Sequence, residues 1–314
     1  MGTPRFTIVV PAYNEQEPIS QVLEDLVSRY ADSAEIIVVD DGSTDQTAAA
    51  AQRFPQVQLV SHKRNFGYGA ALKSGILSAE TELVCLFDGD GQHNPDDVQR
   101  LLDVSGDADL VVASRGASAY RRLLRAPGKL VLQLLANFLV GRRIPDLNSG
   151  LRVLRREMML RYLHLLPNGF SASTTMTMIA LSQDYEVRYV SVSAARRKGR
   201  SQVRQVRDGL GTIMLILRML LLFRPMKFFT PLSALLVLGG SVYGFYKLAQ
   251  TGFGLSVGSL LILLLGIITF LFGLICDQIS HLRLEKYEQP ESMRRFQKTG
   301  PAGEDPSSQP PGSG

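Results

Sequence analysis

The chain has 314 residues, 45% of them hydrophobic and 20% charged, with a formal net charge of +5 and a mean hydropathy of +0.06. It is long for one domain and more apolar than an ordinary soluble enzyme. The two cysteines, Cys85 and Cys276, lie in apolar runs and support neither a disulfide framework nor a zinc site.

Strand-like runs fall at Phe6–Val10, Ile36–Val39, Val57–Val60, Leu83–Phe87, Leu110–Ala113 and Val187–Val192. Helical patterns lie between several of them, at Ile19–Tyr30, Asp45–Arg53 and Tyr68–Ser78. Short apolar strands alternating with helices predict an α/β fold, a mixed and mainly parallel sheet with helices on both faces. Met1 to Thr7 leads straight into the first strand, so no secretory leader is expected.

Ligands of such sheets bind beyond the carboxyl ends of the strands. Pro11-Ala12-Tyr13-Asn14-Glu15 follows the first strand, Asp40-Asp41-Gly42-Ser43 the second, and Asp88-Gly89-Asp90 the fourth. No Gly-x-Gly-x-x-Gly turn follows the first strand, and Gly67-Tyr68-Gly69 lacks the third glycine because position 72 is leucine. A phosphate-loop Gly-Lys-Ser/Thr is also absent. Phosphates must then be held another way, and an aspartate pair with a hard cation, Mg²⁺ or Mn²⁺, is the obvious candidate. The glycines at 89 and 91 allow close approach. Alone, the same residues also read as a solvated turn with an aspartate cap. Asn94 and Pro95 read as a helix start, which makes Asp96 and Asp97 first-turn acids and not site residues. Ser43 with Gln46 resembles a capping box, which makes Asp45 structural.

Charge and hydropathy divide the rest. Arg196, Arg197, Lys198, Arg200, Arg204 and Arg207 fall together without an acid, and Arg121, Arg122, Arg125 and Lys129 form a smaller group. These patches precede apolar segments, which favours lipid headgroups or a lipid phosphate; no nucleic-acid motif accompanies them. No charge occurs from Phe228 to Tyr246 or from Leu248 to Cys276. Each stretch matches the roughly 20 residues that span a bilayer; two buried core helices are the alternative. Gly209–Phe223, with Arg218 inside and Arg224 and Lys227 after it, reads as an interfacial amphipathic helix. The expected organisation is a catalytic domain over 1–207, an interfacial helix over 208–227, two transmembrane helices over 228–280, and a tail over 281–314 that is mostly disordered. The excess of Lys and Arg before the first span and after the second puts the catalytic domain and both termini in the cytoplasm. Gly239, Gly240 and Gly244 offer a close-packing surface, which makes a homo-oligomer an option.

Pro11-Ala12-Tyr13-Asn14-Glu15, Val39-Asp40-Asp41-Gly42-Ser43, Asn65-Phe66-Gly67 and Asp88-Gly89-Asp90-Gly91-Gln92-His93, in that order, resemble the family 2 inverting glycosyltransferases with a GT-A fold. Asp146-Leu147-Asn148-Ser149-Gly150-Leu151-Arg152 and Arg196-x-x-Gly199-x-Ser201 resemble its dolichol-phosphate mannose synthase and polyprenyl-phosphate branch. Two departures bear on the sugar and the local acceptor contacts. Gln202 follows Ser201 where the branch often has lysine, and Ser173-Thr174-Thr175-Met176 stands where it often has a glutamate.

The resemblance implies that Pro11, Tyr13, Glu15, Val39 and Asp41 hold the base and ribose of a UDP- or GDP-linked sugar. It implies that Asp88, Gly89, Asp90 and Gln92 serve the donor diphosphate, with Asp88, Asp90 and Gln92 on Mg²⁺ or Mn²⁺. Arg115, Arg152, Arg196, Lys198 and Ser201 would meet phosphates or the acceptor. Asp146 is the nearest candidate base, or else orients Arg152. His93 takes a supporting role, and His62 and His164 have no context. The implied reaction is transfer of one sugar to a polyprenyl phosphate, undecaprenyl or dolichyl, at the membrane. The rivals are a hydroxyl acceptor, a membrane-anchored binding scaffold with a decayed site, a nucleotidyltransferase, and a processive polysaccharide synthase. The absence of tryptophan argues against the last, whose members resemble one another in a Gln-x-x-Arg-Trp motif.

Overall fold

A computed structural model describes residues 5–114, 127–141, 143–147, 149–169, 171–192, 218, 221–252 and 256–285. The elements run β1 (Phe6–Ala12), α1 (Gln16–Tyr30), β2 (Ala34–Asp40), α2 (Thr47–Ala51), β3 (Val57–Ser61), α3 (Tyr68–Ser78), β4 (Leu83–Leu86), α4 (Asp96–Leu102) and β5 (Leu110–Ser114). Then come α5 (Pro127–Val140), β6 (Arg152–Arg155), α6 (Arg156–Tyr162), a short 3-10 turn (Leu163–Leu165), α7 (Ala172–Ser182), β7 (Val187–Ser191), α8 (Met226–Thr251) and α9 (Val257–Glu285).

The strands form one seven-stranded sheet in the order β3-β2-β1-β4-β6-β5-β7. Every neighbouring pair is parallel except the two made by β6, which runs against both β4 and β5. The mixed, mainly parallel sheet is therefore as expected, with β6 as an addition. Alternate residues of the strands feed two cores. Val9, Ile37, Val39, Val84, Leu86 and Leu110 face α3, α5, α6 and α7. Ile8, Val10, Ile36, Val38, Cys85 and Val111 face α1, α2 and α4. Burial on both faces is why these strands read as uninterrupted apolar runs.

At the loops one detail of the sequence reading holds and another changes. Asn94 does start α4, its Oδ1 accepting the Asp96 amide at 3.1 Å. Asp96 pairs with Arg29 and Asp97 with Arg100, so both acids are structural. The Ser43/Gln46 capping box does not form. Asp45 Oδ1 instead accepts the Thr47 amide at 2.9 Å, while the Ser43 hydroxyl accepts the Asn14 amide.

α8 and α9 are long and apolar enough to cross a membrane, over Met226–Gln250 and Val257–Arg283. Only 17% of each apolar window is buried, so neither is the core helix of a soluble bundle. They pack on each other through glycines, where an added Cβ on Gly266 would lie 2.8 Å from Val237 and one on Gly273 2.6 Å from Phe229. Gly240 is used in the same hairpin, against Ile262 and Leu263. Leu222 and Phe223, placed by the sequence in the interfacial segment, are buried with Leu139, Leu165 and Leu166 in the core of the sheet domain. On α5, Leu134 and Phe138 are exposed while Ala136 and Leu139 are buried.

Candidate active site

Because β1 lies between β2 and β4, the segments after these three strands meet at one edge. The reversed β6 starts from the same edge, with Arg152 opposite Leu86. Residues 11–15, 40–43, 88–92, 146–147 and 149–151 are thus gathered although the chain separates them widely.

The first two segments brace each other. Asn14 has φ 54°, a left-handed conformation that Asn tolerates better than most residues. That twist lets its Oδ1 accept the Thr44 amide at 2.8 Å while its own amide donates to Ser43 Oγ at 2.9 Å. The Glu15 amide donates to Thr47 Oγ1 at 2.9 Å. Tyr13, Asn14 and Glu15 remain partly exposed, whereas Pro11 and Val39 are buried. Val39 sits in the core, so its side chain does not reach the cleft.

Asp41 organises the edge from below. It is 2% exposed; its Oδ1 accepts the Phe66 amide at 3.0 Å and its Oδ2 the Gly67 amide at 2.7 Å. His62 Nδ1 lies 2.7 Å from Asp41 Oδ1 and its Nε2 2.8 Å from Ser74 Oγ. The carboxylate and His62 together hold the 62–67 loop, a role for which His62 had no sequence signal. Gly67 closes that loop at φ 103°, and an added Cβ would meet the Asn168 carbonyl at 2.5 Å. The same carbonyl accepts the Gly69 amide at 2.7 Å at the first turn of α3.

α3 then delivers Tyr68, whose hydroxyl donates to Asp88 Oδ1 at 2.8 Å. His93 Nε2 lies 3.6 Å from Asp88 Oδ2, and its ring stands edge-on to Phe87. Burial pushes the Asp88 carboxyl up, but His93, Tyr68 and the Arg152 charge outweigh it and hold the group below the ordinary carboxylate range. Burial and the Asp88 charge push the Tyr68 phenol well above its ordinary range, so it stays a donor at neutral pH. Gly150 lies against the same carboxylate: an added Cβ there would fall 1.8 Å from Asp88 Oδ2. Neither Tyr68 nor Gly150 was singled out for this contact by the sequence, because a long-range hydrogen bond and a close backbone approach leave no spacing pattern.

Asp90 is braced by Gln92, whose amide nitrogen donates to Oδ1 at 3.1 Å and whose side chain donates to Oδ2 at 2.5 Å. Gly89 packs against the end of β1, where an added Cβ would lie 3.2 Å from the Pro11 carbonyl. Asp88 and Asp90 thus present anionic oxygens at the mouth, Asp88 a quarter exposed. Among the described residues no three His, Cys, Asp or Glu side chains converge. This donor set fits a hard divalent cation completed by substrate phosphates and water, the usual habit of Mg²⁺, and not a closed structural cage.

Arg152 differs from its expected place. On β6 it is 0% exposed, with Nη1 donating to the Ser173 carbonyl at 2.8 Å and Nη2 to the Ser149 carbonyl. Burial lowers its pKa, against the nearby Tyr68, Asp146 and Asp88, which raise it. The guanidinium therefore works behind the cleft, joining the 149–151 turn to α7, and does not reach a phosphate at the surface. Asp146 is 5% exposed beside it. The polar stretch Ser173, Thr174, Thr175 and Thr177 of α7 is fully buried, and Thr177 Oγ1 is 3.4 Å from Arg152 Nη1. Arg115, Arg196, Lys198 and Ser201 lie outside the described residues; Ser114 and Val192, joined at 2.9 Å, bring the chain to the same edge.

Comparison with known proteins agrees with this arrangement. The chain is 30% identical over 188 residues to the undecaprenyl-phosphate 4-deoxy-4-formamido-L-arabinose transferase of Serratia proteamaculans, and 29% identical to that of Yersinia enterocolitica. Each match covers 54% of this chain and 58% of the relative, so the chain spans little more than half the length of these relatives. Among solved structures, the glucosyl-3-phosphoglycerate synthase of Mycobacterium tuberculosis, in complex with Mn²⁺, UDP-glucose and phosphoglyceric acid, superposes with a TM-score of 0.55. It is 23% identical and the match covers 69% of this chain and 79% of that one, a likeness of fold. The hairpin described as the GtrB C-terminal hairpin matches residues 224–282, which contain α8 and most of α9. The pattern of glycosyl transferase family 2 matches residues 7–163, half of the chain and every segment gathered at the Asp88 edge except the stretch beyond α6; the chain belongs to glycosyl transferase family 2.

Proposed function

We propose that the protein transfers one sugar, with inversion, from a UDP- or GDP-linked donor to a polyprenyl phosphate at the cytoplasmic face of a membrane. One observation carries this reading: the Asp88 carboxylate of the diphosphate motif rests directly on Gly150 of the Asp146–Arg152 motif. The donor and acceptor motifs are therefore two walls of one cleft. The relatives' names, which specify undecaprenyl phosphate, and the two-span hairpin support a lipid acceptor.

In this reading Tyr13 and Glu15, partly exposed just after β1, face the base and ribose. Pro11 and Val39 contribute backbone, since their side chains are buried. Asp41 acts through the loop it holds, presenting the Phe66 and Gly67 turn. Asp88 and Asp90, with Gln92 bracing Asp90, would hold Mg²⁺ or Mn²⁺. Bound there, the cation supplies Lewis-acid neutralisation of the departing diphosphate. Tyr68 and Gly150 fix the Asp88 oxygens so that they need no reorganisation as charge develops. A phosphate monoester with its second pKa near about 6 is already anionic at neutral pH. Positioning then outweighs proton abstraction, and Asp146 serves orientation beside Arg152. Arg115, Arg196 and Lys198 are assigned to the acceptor phosphate on charge, since Arg donates two parallel bonds to phosphate, and Ser201 by its place in the family motif.

The test offers the detergent-solubilised protein a panel of radiolabelled nucleotide-sugars with undecaprenyl and dolichyl phosphate, and extracts the lipid product. Asp90→Asn and EDTA treatment should each abolish the labelled lipid, a loss of several kcal/mol in transition-state stabilisation. Near-normal turnover of Asp90→Asn at saturating Mg²⁺ or Mn²⁺ would refute the assignment.

A further inference from the structure

A cavity of about 580 Å³ opens on the outward face of α3, lined by His62, Phe66, Lys73, Leu77, Leu163 and His164. Lys73 and Leu77 share this face; Leu72 and Ile76, buried against the sheet, mark the opposite one. The cavity is therefore separated by the body of α3 from the Asp88 cleft. Phe66 and Leu77 are exposed apolar side chains on its walls.

Among the described residues, its edge carries cations without a counter-ion. Lys73 Nζ donates to the Leu166 carbonyl at 3.3 Å and to Asn168 Oδ1 at 2.5 Å. Arg218 Nη2 donates to the adjacent Leu165 carbonyl at 2.6 Å. Two cations are thus fastened to successive carbonyls of one turn. Carbonyl oxygens satisfy their donors but do not neutralise them. Among the described residues no carboxylate pairs with Lys73, Arg218 or Arg283. Burial chiefly, and then Arg218, lowers the Lys73 pKa; burial, and then Arg283, lowers that of Arg218.

Location selects the class of anion. Arg283 belongs to the last turn of α9, three residues past Ser280, whose hydroxyl donates to the Leu222 carbonyl. The cluster therefore stands at the foot of the hairpin, where lipid headgroups lie if α8 and α9 cross a bilayer. A phosphate joined to an apolar stem matches what is offered, cations at the edge and Phe66 with Leu77 on the walls. We propose that the cavity edged by Lys73 and Arg218 binds the phosphate of an anionic phospholipid headgroup, outside the sugar-transfer cleft. The contact fixes the height and tilt of the sheet domain over the bilayer. It rests on α8 and α9 crossing a membrane and not on the transfer reaction, so the two readings fail separately.

Native mass spectrometry of the full-length protein in micelles tests it, with phosphatidylglycerol, phosphatidylcholine, undecaprenyl phosphate and inorganic phosphate as separate additions. Wild type should retain phosphatidylglycerol in preference to phosphatidylcholine, and Lys73→Gln/Arg218→Gln should weaken retention about thirtyfold. Lys73→Arg/Arg218→Lys keeps both charges and should retain the lipid within about threefold, which guards against a mere folding defect. Retention that is equal in wild type and the Gln variant overturns the site. So does displacement of the lipid by millimolar inorganic phosphate alone, which marks a soluble-anion site. Preferential retention of undecaprenyl phosphate through the same two residues also overturns it, by making the cavity an acceptor site.

Discussion

Gly150→Ala places a methyl group where the Asp88 carboxylate now lies. The new Cβ would fall 1.8 Å from Oδ2, 2.4 Å from Cγ and 2.7 Å from Oδ1, whereas ordinary contact begins at 3.4 Å. Oδ2 must therefore retreat by roughly 1.6 Å, and the obstacle is the acid head of a short side chain. Asp88 is a quarter exposed, so the carboxylate can turn toward water and the fold survives. What it loses is the 2.8 Å bond from Tyr68 and its alignment with Asp90. A hydrogen bond to a charged group is worth about 1.5–3 kcal/mol, and an off-rotamer side chain costs about 0.5–1.5 kcal/mol. If all of that falls on the transition state, turnover drops by roughly 30- to 2,000-fold. The assay is the initial rate of lipid-product formation at saturating donor, with Mn²⁺ affinity measured in parallel by electron paramagnetic resonance and melting by scanning calorimetry. Turnover within about threefold of wild type, with Mn²⁺ affinity unchanged, would refute the placement of Asp88 against Gly150 or its role in holding the cation.

The buried Arg152 makes a contrasting case. Arg152→Ala should destabilise the fold by about 3–5 kcal/mol, because it strands the Ser149 and Ser173 carbonyls and empties a large volume; a variant that melts like wild type but no longer uses the acceptor would return Arg152 to the cleft. Asp45→Ala should cost about 1 kcal/mol through loss of the α2 cap. Burial raises the Asp45 pKa, but its Thr47 and Gln16 bonds outweigh this and hold it low. Its contribution is therefore present above the unfolded value of about 3.9 and is lost as pH falls through the folded one; a wild-type advantage that grows on acidification contradicts this. A protein cut after Arg207 should melt lower and aggregate more readily than one cut after Arg224, since only the longer one keeps Leu222 and Phe223 in the core. Equal melting of the two would place the boundary at 207.

Of the six parallel strands, β1, β2, β4 and β5 were legible because both of their faces are buried, and the edge strands β3 and β7 because their apolar residues still pack against the two cores. β6 was not, because Arg-Val-Leu-Arg is short and bounded by charges, and nothing local says that one arginine is buried. Local chemistry was also ambiguous wherever a distant partner decided the outcome. Ser43 and Gln46 have the spacing of a capping box, but Asn14 claims the Ser43 hydroxyl and Gln16 the Gln46 amide. At the site, the acidic motif and the Asp146–Arg152 motif were both visible by resemblance. Their contact through Gly150, and the Tyr68 bond that orients Asp88, required the strand order, which periodicity does not encode. Arg152 shows the converse: a cation in a phosphate-binding motif reads as a ligand until its burial is known.

The reversal of β6 has an entropic consequence. A parallel strand beside β4 would have entered from the opposite edge and reached the cleft only at its far end. Running against its neighbours, β6 begins at the cleft, so Gly150 stands two residues from a strand position paired with Leu86. At the other end, Asn137 Oδ1 on α5 accepts the Ile144 amide at 2.9 Å, and Gln133 donates to the Ile144 carbonyl at 2.9 Å. Residues 145–147 and 149–151 thus adjoin tethers at either end that are ordered before any substrate arrives. Fixing a residue's backbone costs about 1–2 kcal/mol, and for this wall of the cleft that cost falls on folding. Substrate binding does not bear it again.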